Sequence, residues 1–259
     1  MSNLVKSQTY NQDSDDDENQ VNKRKKVKPK IPKAPRVITP MPNPDKQKHE
    51  TYKKSHNPVR FPKPFRCCIL GKVNSGKSLI AKHILMAHQE KAPKFDEVHV
   101  VHGCADTHTT EYDDIEPTSV RSEIPSYEDF DPEPRKLIIF DDVDFTIMPG
   151  QELRNLSELF RFGSTHCNIS ILLMHQSWFR IPKIAKDCSN VFVIFKPHDN
   201  DELATIGRRV GLKKDQIFQI FKDHLPNWRD SLLINLCPGA KHKYSKNLFQ
   251  PLSLSLDED

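Results

Sequence analysis

The chain has 259 residues, a formal net charge of +4 and a pI of about 8.6. This length can hold one α/β domain of about 190 residues and a tail. The sequence contains neither an apolar run of about 18 residues nor a secretory leader, so we expect no secretion and no membrane insertion. Its 6 cysteines lack C-x-x-C spacing, which favours buried, reduced thiols over a zinc site.

The positive charge is concentrated at the amino terminus. Residues 1–66 contain 16 lysines and arginines against 7 aspartates and glutamates, with 9 of the 20 prolines and no glycine. Few large apolar side chains accompany them, so residues 1–57 are predicted to form a disordered charged tail. In it, the basic run KRKKVKPK at residues 23–30 follows the acidic block SDDDE at residues 14–18. Such a run is typical of a nuclear import signal or a nucleic-acid contact; a solvated linker is the alternative.

The stretch GKVNSGKS at residues 71–78 has the G-x-x-x-x-G-K-[ST] pattern of a Walker A motif. The apolar run FRCCIL precedes it and predicts a strand, and the segment SLIAKHILMAH follows with apolar residues at helical spacing. Strand, glycine turn and helix are the context in which this motif holds a nucleoside triphosphate. An ordinary glycine turn before a helix is the alternative.

Each part of this loop has a chemical role. Gly71 and Gly76 let the backbone curl so that its N–H groups point at phosphate oxygens, and the helix beginning near Lys77 adds its positive end. Lys77 would reach the β- and γ-phosphates, and Ser78 would offer its hydroxyl to Mg²⁺. ATP and Mg²⁺ are therefore the expected ligands. The predicted nucleotide-binding residues are Gly71, Lys72, Val73, Asn74, Ser75, Gly76, Lys77 and Ser78.

A strand is predicted at residues 95–103, and a second nucleotide motif follows in KLIIFDDVDF. Residues 137–140 form an apolar run of strand length that ends in two acids, as in a Walker B motif. We expect Asp141 to hold Mg²⁺ together with Ser78, and Asp142 to orient and deprotonate the attacking water. Two acids after a strand would be weak evidence alone, because loops often begin with Asp.

The remaining apolar patterns complete an α/β domain. Helices ending at a glycine are predicted at residues 150–163 and 201–211, a further helix at 213–224, and strands at 168–177, 190–196 and 231–236. Gln176 ends one of these strands, where it would sense the γ-phosphate or help to place the water; a loop-capping glutamine is the alternative. The predicted fold is a P-loop NTPase with a mainly parallel sheet flanked by helices at residues 58–250, followed by an acidic tail at 251–259.

The order of these motifs resembles the viral genome-packaging ATPases of the FtsK–HerA superfamily. The likeness is greatest to the poxvirus-type branch, which large DNA viruses, virophages and Polinton or Maverick elements share. It rests on GKVNSGKS, on LIIFDDVD and on LFRFGSTHCNISILLMHQSWFRIPKIAKDCSNVFVIFK, and it covers residues 58–249. One departure is that many of these motors have glutamate where this chain has Asp142.

The resemblance implies a homo-oligomeric ring that uses Mg²⁺-dependent ATP hydrolysis to move double-stranded DNA into a capsid. Nucleotide would lie at subunit interfaces, with an arginine supplied in trans. Arg161 has the matching motif position, and Arg180, Arg208 and Arg209 are rivals. The implied catalytic residues are thus Asp142, Gln176 and Arg161. The resemblance implies double-stranded DNA and a capsid or portal vertex protein as partners. The basic run at residues 23–30 adds a nuclear import receptor, and the expected location is the host nucleus and also the virion.

Other classes remain as alternatives. A small GTPase is disfavoured because no N-K-x-D motif is present. A nucleotide or nucleoside kinase, a DNA helicase and a DNA-binding adaptor that holds ATP without turnover stay open. The segments at residues 106–114 and 145–150 are the candidates for contacting DNA.

Overall fold

The computed structural model describes residues 61, 64–89, 94–103, 112 and 115–254; of residues 88 and 89 it describes the backbone alone. The predicted tail at residues 1–57, with its import signal, lies outside these residues. So does most of the candidate DNA segment at 106–114. In the described part, no helix combines the length and the hydropathy of a membrane span.

Nine strands of the described residues form one sheet in the order β3-β2-β4-β5-β1-β6-β7-β8-β9. The first six in that order are parallel, and β7, β8 and β9 are antiparallel. This confirms the mainly parallel α/β sheet. The strands are β1 (Arg66–Leu70), β2 (Glu97–His102), β3 (Ser119–Arg121), β4 (Lys136–Asp141), β5 (Ile169–His175), β6 (Val191–Phe195), β7 (Ser231–Asn235), β8 (Tyr244–Lys246) and β9 (Gln250–Pro251).

Helices cover both faces of the sheet. Successive residues of a strand point to opposite faces, so each strand packs against helices on both sides. In β1, Cys67 packs with α1 on one face, whereas Cys68 packs with the later helices on the other. The central strands are buried on both sides, which is why they are continuous apolar runs. The helices are α1 (Lys77–Gln89), α2 (Gly150–Glu158), α3 (Lys183–Cys188), α4 (Asn200–Arg209) and α5 (Lys214–His224).

One predicted helix ending is wrong. Gly163 does not end α2, because the chain continues through a π-helical turn (Leu159–Gly163) into a short helical segment (Ser164–His166). Gly163 keeps a helical φ of −54°. Packing requires a glycine at this position instead, because a Cβ there would lie 2.8 Å from Cβ of Tyr127. By contrast, Gly211 has a φ of 81° and follows α4, as the predicted glycine ending requires.

The folded part also extends past the predicted boundary at residue 250. Strand β9 crosses that boundary and pairs with β8, and Leu252 and Leu254 pack against the core. Short elements such as β3, β8, β9 and α3 carry too few residues for a periodic signal, so the sequence did not predict them. Of the cysteines, Cys67, Cys68, Cys167 and Cys237 are buried free thiols.

A buried lysine links the starts of β4 and β5, the two strands that lead to the acidic residues and the glutamine of the site. Lys136 begins β4 and is fully buried. Its ammonium donates hydrogen bonds to the carbonyls of Asp131 (2.5 Å), Pro134 (2.6 Å) and Cys167 (3.0 Å). Cys167 lies two residues before β5, so one cation satisfies backbone acceptors from both strand entrances.

We expect Lys136→Met to lower the free energy of unfolding by about 3 kcal/mol, because three carbonyls lose their donor. Equilibrium urea unfolding measures the change. Arg135→Met is the matched control: Arg135 pairs with Asp96 at the surface, and that substitution should cost less than about 1 kcal/mol. Equal effects of the two substitutions would contradict the assigned role of Lys136.

Candidate nucleotide-binding site

The predicted phosphate loop lies at the carboxyl end of β1. Lys77 begins α1, as predicted, and Ile80 N–H bonds to the carbonyl of Gly76 at 3.0 Å. Gly76 has a φ of 107° and Asn74 a φ of 62°, which curl the loop. The Lys77 ammonium is largely buried and donates to the Lys72 carbonyl at 3.1 Å, so it spans the mouth of the loop.

The loop rests on an aromatic side chain from the neighbouring strand. A Cβ at position 71 would lie 2.8 Å from Cδ2 of Phe195 and would overlap Oγ of Ser75, so only glycine fits there. Oγ of Ser75 is buried and has no hydrogen-bond partner within the described part of the chain. Such a hydroxyl inside a phosphate loop is suited to bonding a phosphate oxygen. Lys72, Val73 and Ser78 complete the predicted loop, with Val73 exposed.

Asp141 ends β4 and is buried, with its carbonyl accepting from Gly103 N–H. Its Oδ2 accepts a hydrogen bond from the hydroxyl of Tyr112, which is itself fully buried. A buried donor of this kind fixes the orientation of a carboxylate. The sequence pattern contains no local signal for the role of Tyr112, because its partner lies 29 residues away.

Asp142 and Gln176 lie within hydrogen-bonding distance of each other, as expected for residues that follow two neighbouring strands. Nε2 of Gln176 donates to Oδ1 of Asp142 at 3.3 Å, and both side chains are exposed. Asp142 has a φ of 48°, a left-handed conformation that is uncommon outside glycine. Gly103 makes room for it, since a Cβ there would overlap the Asp142 carbonyl oxygen. The Asp142 carboxylate is thereby turned out of the sheet and into the site.

These two side chains line an open cavity of about 470 Å³ beyond the strand ends. Asp144, His175 and Arg180 also line it. The hydroxyl and N–H of Thr146 donate to Asp144 and lower its pKa. Burial lowers the pKa of His175, partly opposed by its hydrogen bond with the Ser177 backbone, and so favours the neutral imidazole. The cavity thus combines two carboxylates, an amide and one guanidinium.

A buried carboxylate holds the loop that carries Gln176. Oε1 of Glu202, on α4, accepts from Oγ of Ser177 at 2.9 Å and from the backbone N–H of Trp178. Glu202 is 6% exposed. The bonds fix the exit of β5 against α4 and so restrict where Gln176 can lie. Glu202 could not be predicted from the sequence, because a charged residue on a helix ordinarily faces solvent.

The structure does not bring Arg161 to this edge of its own chain. Arg161 is exposed on the π-helical turn, and the preceding Phe160 carbonyl accepts from the side chain of Arg66, the first residue of β1. The turn therefore lies at the amino ends of the strands, about 16 Å from the loop along β1. Of the rivals, Arg180 lines the site cavity and Arg209 pairs with Asp187.

The donor set of Ser78 and Asp141 fits Mg²⁺, which prefers hydroxyl, carboxylate and water oxygens. Asp141 ends β4 and Ser78 lies in the first turn of α1 after β1; these two strands flank β5 and are about 10 Å apart.

No protein-family model matches the chain, and no curated protein matches it. Among solved structures, the B204 DNA-packaging ATPase of Sulfolobus turreted icosahedral virus aligns with 74% of this chain and 99% of its own, at 13% identity and a TM-score of 0.52. The genome-packaging NTPase B204 of Sulfolobus turreted icosahedral virus 2, in complex with AMPPCP, aligns over 73% and 98%, at 14% identity and a TM-score of 0.51.

EssC (ATPases 2 and 3) of Geobacillus thermodenitrificans aligns with 76% of this chain and 42% of its own, at 11% identity and a TM-score of 0.51. The fold is that of a P-loop NTPase. At these identities the likeness concerns the fold, whereas the roles of individual residues rest on the geometry above.

If Asp141 holds Mg²⁺ as predicted, Tyr112→Phe should raise the Mg²⁺ concentration for half-maximal ATP turnover about tenfold, because the Asp141 carboxylate loses the group that orients it. Nucleotide binding without Mg²⁺ should be unchanged. A magnesium titration of steady-state turnover measures this.

Tyr244→Phe is the matched control, because the Tyr244 hydroxyl is also buried but has no hydrogen-bond partner within residues 115–254. It should leave the magnesium titration unchanged. A Tyr112→Phe titration that coincides with that of the unmodified chain would exclude Tyr112 as a positioning residue.

Proposed function

We propose that this protein is a Mg²⁺-dependent ATPase that translocates double-stranded DNA, and that its task is to package a viral or virus-like genome into a capsid. The observation that carries the ATPase assignment is the meeting of the phosphate loop, Asp141 and the Asp142–Gln176 pair at one edge of the sheet. The motif resemblance and the fold shared with genome-packaging NTPases support the translocation and packaging parts.

Each residue would have a separate task in hydrolysis. The loop N–H groups and Lys77 would bind the phosphates and neutralise their charge. Ser78 and Asp141 would hold Mg²⁺, which when bound supplies positive charge to the β- and γ-phosphates. Asp142 would accept a proton from the attacking water. Aspartate is shorter than the glutamate of many related motors, and the amide of Gln176 would position both the carboxylate and the water.

The partners follow from this function. The proposed partners are double-stranded DNA and further copies of the chain in a ring for translocation, and a capsid or portal vertex protein for packaging. The basic tail at residues 1–57 would contact DNA phosphates or a nuclear import receptor and so direct the protein to the host nucleus. Phosphate contacts from the tail would make DNA affinity fall steeply with salt, which a salt titration of DNA binding measures.

The central test is ATP turnover with and without long double-stranded DNA. We expect DNA to stimulate turnover. Lys77→Ala should lower basal and stimulated turnover by about a hundredfold or more, because the charge facing the phosphates is lost. Asp142→Asn should bind nucleotide normally but turn over about a hundredfold more slowly. Lys183→Ala, which removes a lysine that is 88% exposed on α3, is the control and should be unaffected.

Other outcomes would identify another function. Turnover stimulated only by a small phosphoryl acceptor would indicate a nucleotide kinase. Nucleotide binding without turnover would indicate a DNA-binding adaptor. Separation of DNA strands, measured with a labelled duplex, would indicate a helicase. Near-normal turnover in Lys77→Ala would contradict the phosphate-loop assignment itself.

A separate prediction concerns Arg161, which lies at the opposite edge of the sheet from its own phosphate loop. If it acts on a neighbouring subunit, mixing Arg161→Ala with Lys77→Ala subunits should restore part of the turnover, because some interfaces then join an intact loop to an intact arginine. Steady-state turnover of mixed assemblies, with mixing verified by differential labels, measures the rescue.

Arg154→Ala is the control, because Arg154 is also exposed but lies earlier on α2. Alone it should retain full turnover. Verified mixed assemblies without rescue would assign the trans role to another arginine, or indicate that the subunits fire together.

A further inference from the structure

A groove with an apolar floor and two lysines lies between α4, α5 and the end of β6, and its volume is about 290 Å³. Leu203 and Phe221 are buried in its floor, and Phe218 is half-buried beside them. Lys196, which follows β6, and Lys222 on α5 also line the groove, and both are exposed. The groove is therefore suited to a ligand that combines an apolar group with negative charge.

The groove opens at the carboxyl edge of the sheet, where the parallel strands end. Pro197 lines both the groove and a narrow cleft that also contains Gly71 and Gln176. The described residues that line the groove include no carboxylate. Of the acids close by in the sequence, Asp199 accepts from the N–H of Asp201 at 2.8 Å. Asp223 accepts from the side-chain amide of Gln219 at 2.7 Å.

The chain itself contains a segment that combines an apolar residue with acids. Residues 255–259, which follow the described part, have the sequence SLDED, so that Leu256 precedes three acids. Leucine would cover the apolar floor of the groove, and the acids would lie beside the two lysines. The other acidic block, SDDDE at residues 14–18, contains no apolar residue and so matches the lysines alone.

This SLDED segment does not reach the groove of its own chain. Leu252 N–H bonds to the Tyr244 carbonyl; Tyr244 pairs with Ile234, and Ile234 pairs with Phe192 near the start of β6. Leu252 thus lies towards the amino edge of the sheet. From there to the end of β6 is about 13 Å along the strands and about 14 Å across three strand spacings, or about 19 Å in all. The four residues from Leu252 to Leu256 span at most about 14 Å.

We propose that the SLDED segment of one copy of the chain binds the groove of a second copy, with Leu256 on the apolar floor and the acids beside Lys196 and Lys222. The proposal rests on the proposed assembly of several copies. It joins the amino edge of one subunit to the carboxyl edge of another, so two different surfaces meet. A trans role for Arg161 requires the same two edges to meet, although Arg161 belongs to neither the segment nor the groove.

The test exchanges the charges of the two surfaces and measures self-association of the full chain by sedimentation velocity. The groove variant combines Lys196→Glu with Lys222→Glu. The segment variant combines Asp257→Lys, Glu258→Lys and Asp259→Lys. Each variant alone should associate about tenfold more weakly or worse, because like charges then meet. An equimolar mixture of the two variants should regain the association of the unmodified chain, because every contact between unlike copies then joins opposite charges.

Two further variants test the apolar contact and the specificity of the charge effect. Leu256→Ser should weaken association without any change in charge, because the floor of the groove stays exposed to water. Lys183→Glu combined with Lys241→Glu is the matched control. Both are exposed lysines outside the groove, and together they make the same change in charge as the groove variant. This control should associate as the unmodified chain does.

The outcomes separate the contact from the proposed function. Unchanged association of the groove and segment variants would overturn the contact. Weakened association that the mixture does not restore would overturn the SLDED segment as the occupant of the groove. Restored association in a chain without ATP turnover would support the contact and contradict the ATPase assignment. An unmodified chain that stays monomeric with nucleotide and DNA would overturn both the contact and the proposed assembly.

Discussion

The arrangement of the candidate site depends on the parallel register of β4, β5 and β1. Leu70 pairs with His175, and Asp141 pairs with Met174, so the three strands end almost level with one another. A phosphate loop, a glutamine and two carboxylates follow these ends and therefore meet at one edge. Backbone N–H groups and Lys77 bring positive charge to that edge, and the acids bring negative charge. A hydrated cation with a triphosphate is the kind of ligand that such an arrangement complements.

Burial determines how rigidly these groups are held. Asp141 is buried and bonded to Tyr112, whereas Asp142 is exposed and bonded only weakly to Gln176. A carboxylate that holds a cation benefits from a fixed orientation, while one that exchanges protons with water needs access to solvent. Glu202 anchors the loop that carries Gln176, and Glu202 itself is buried. The adjacent acids thus differ in environment in the direction that their proposed roles require.

The sequence could predict those parts of the site that lie within one strand–turn–helix unit. The strand–turn–helix around the predicted phosphate loop and the apolar strands depend on local glycine placement and burial pattern, and the structure confirms where they lie. Nucleotide binding by the loop stays a prediction. Tyr112 and Glu202 act across the fold, and a single sequence contains no periodic signal for such pairings. The prediction for Gly163 was wrong for the same reason, namely that its constraint is not local in the sequence. Its glycine looked like a helix ending, but the constraint comes from Tyr127, a residue on a different segment.

Strand polarity also bears on assembly. The carboxyl edge of the sheet carries the acids and the loop, and the amino edge carries Arg161 with the start of β1. An arginine that completes a neighbour's site must then lie across from that neighbour's carboxyl edge, so two different surfaces meet at each contact. Such a contact is heterologous, and repeated copies close into a ring or extend as a filament according to the rotation between them. A two-fold dimer would meet the same requirement by containing both contacts in one interface, with the amino edge of each subunit against the carboxyl edge of the other. A trans role for Arg161 therefore determines which two edges meet, whereas the rotation between neighbouring subunits determines whether the assembly closes into a ring.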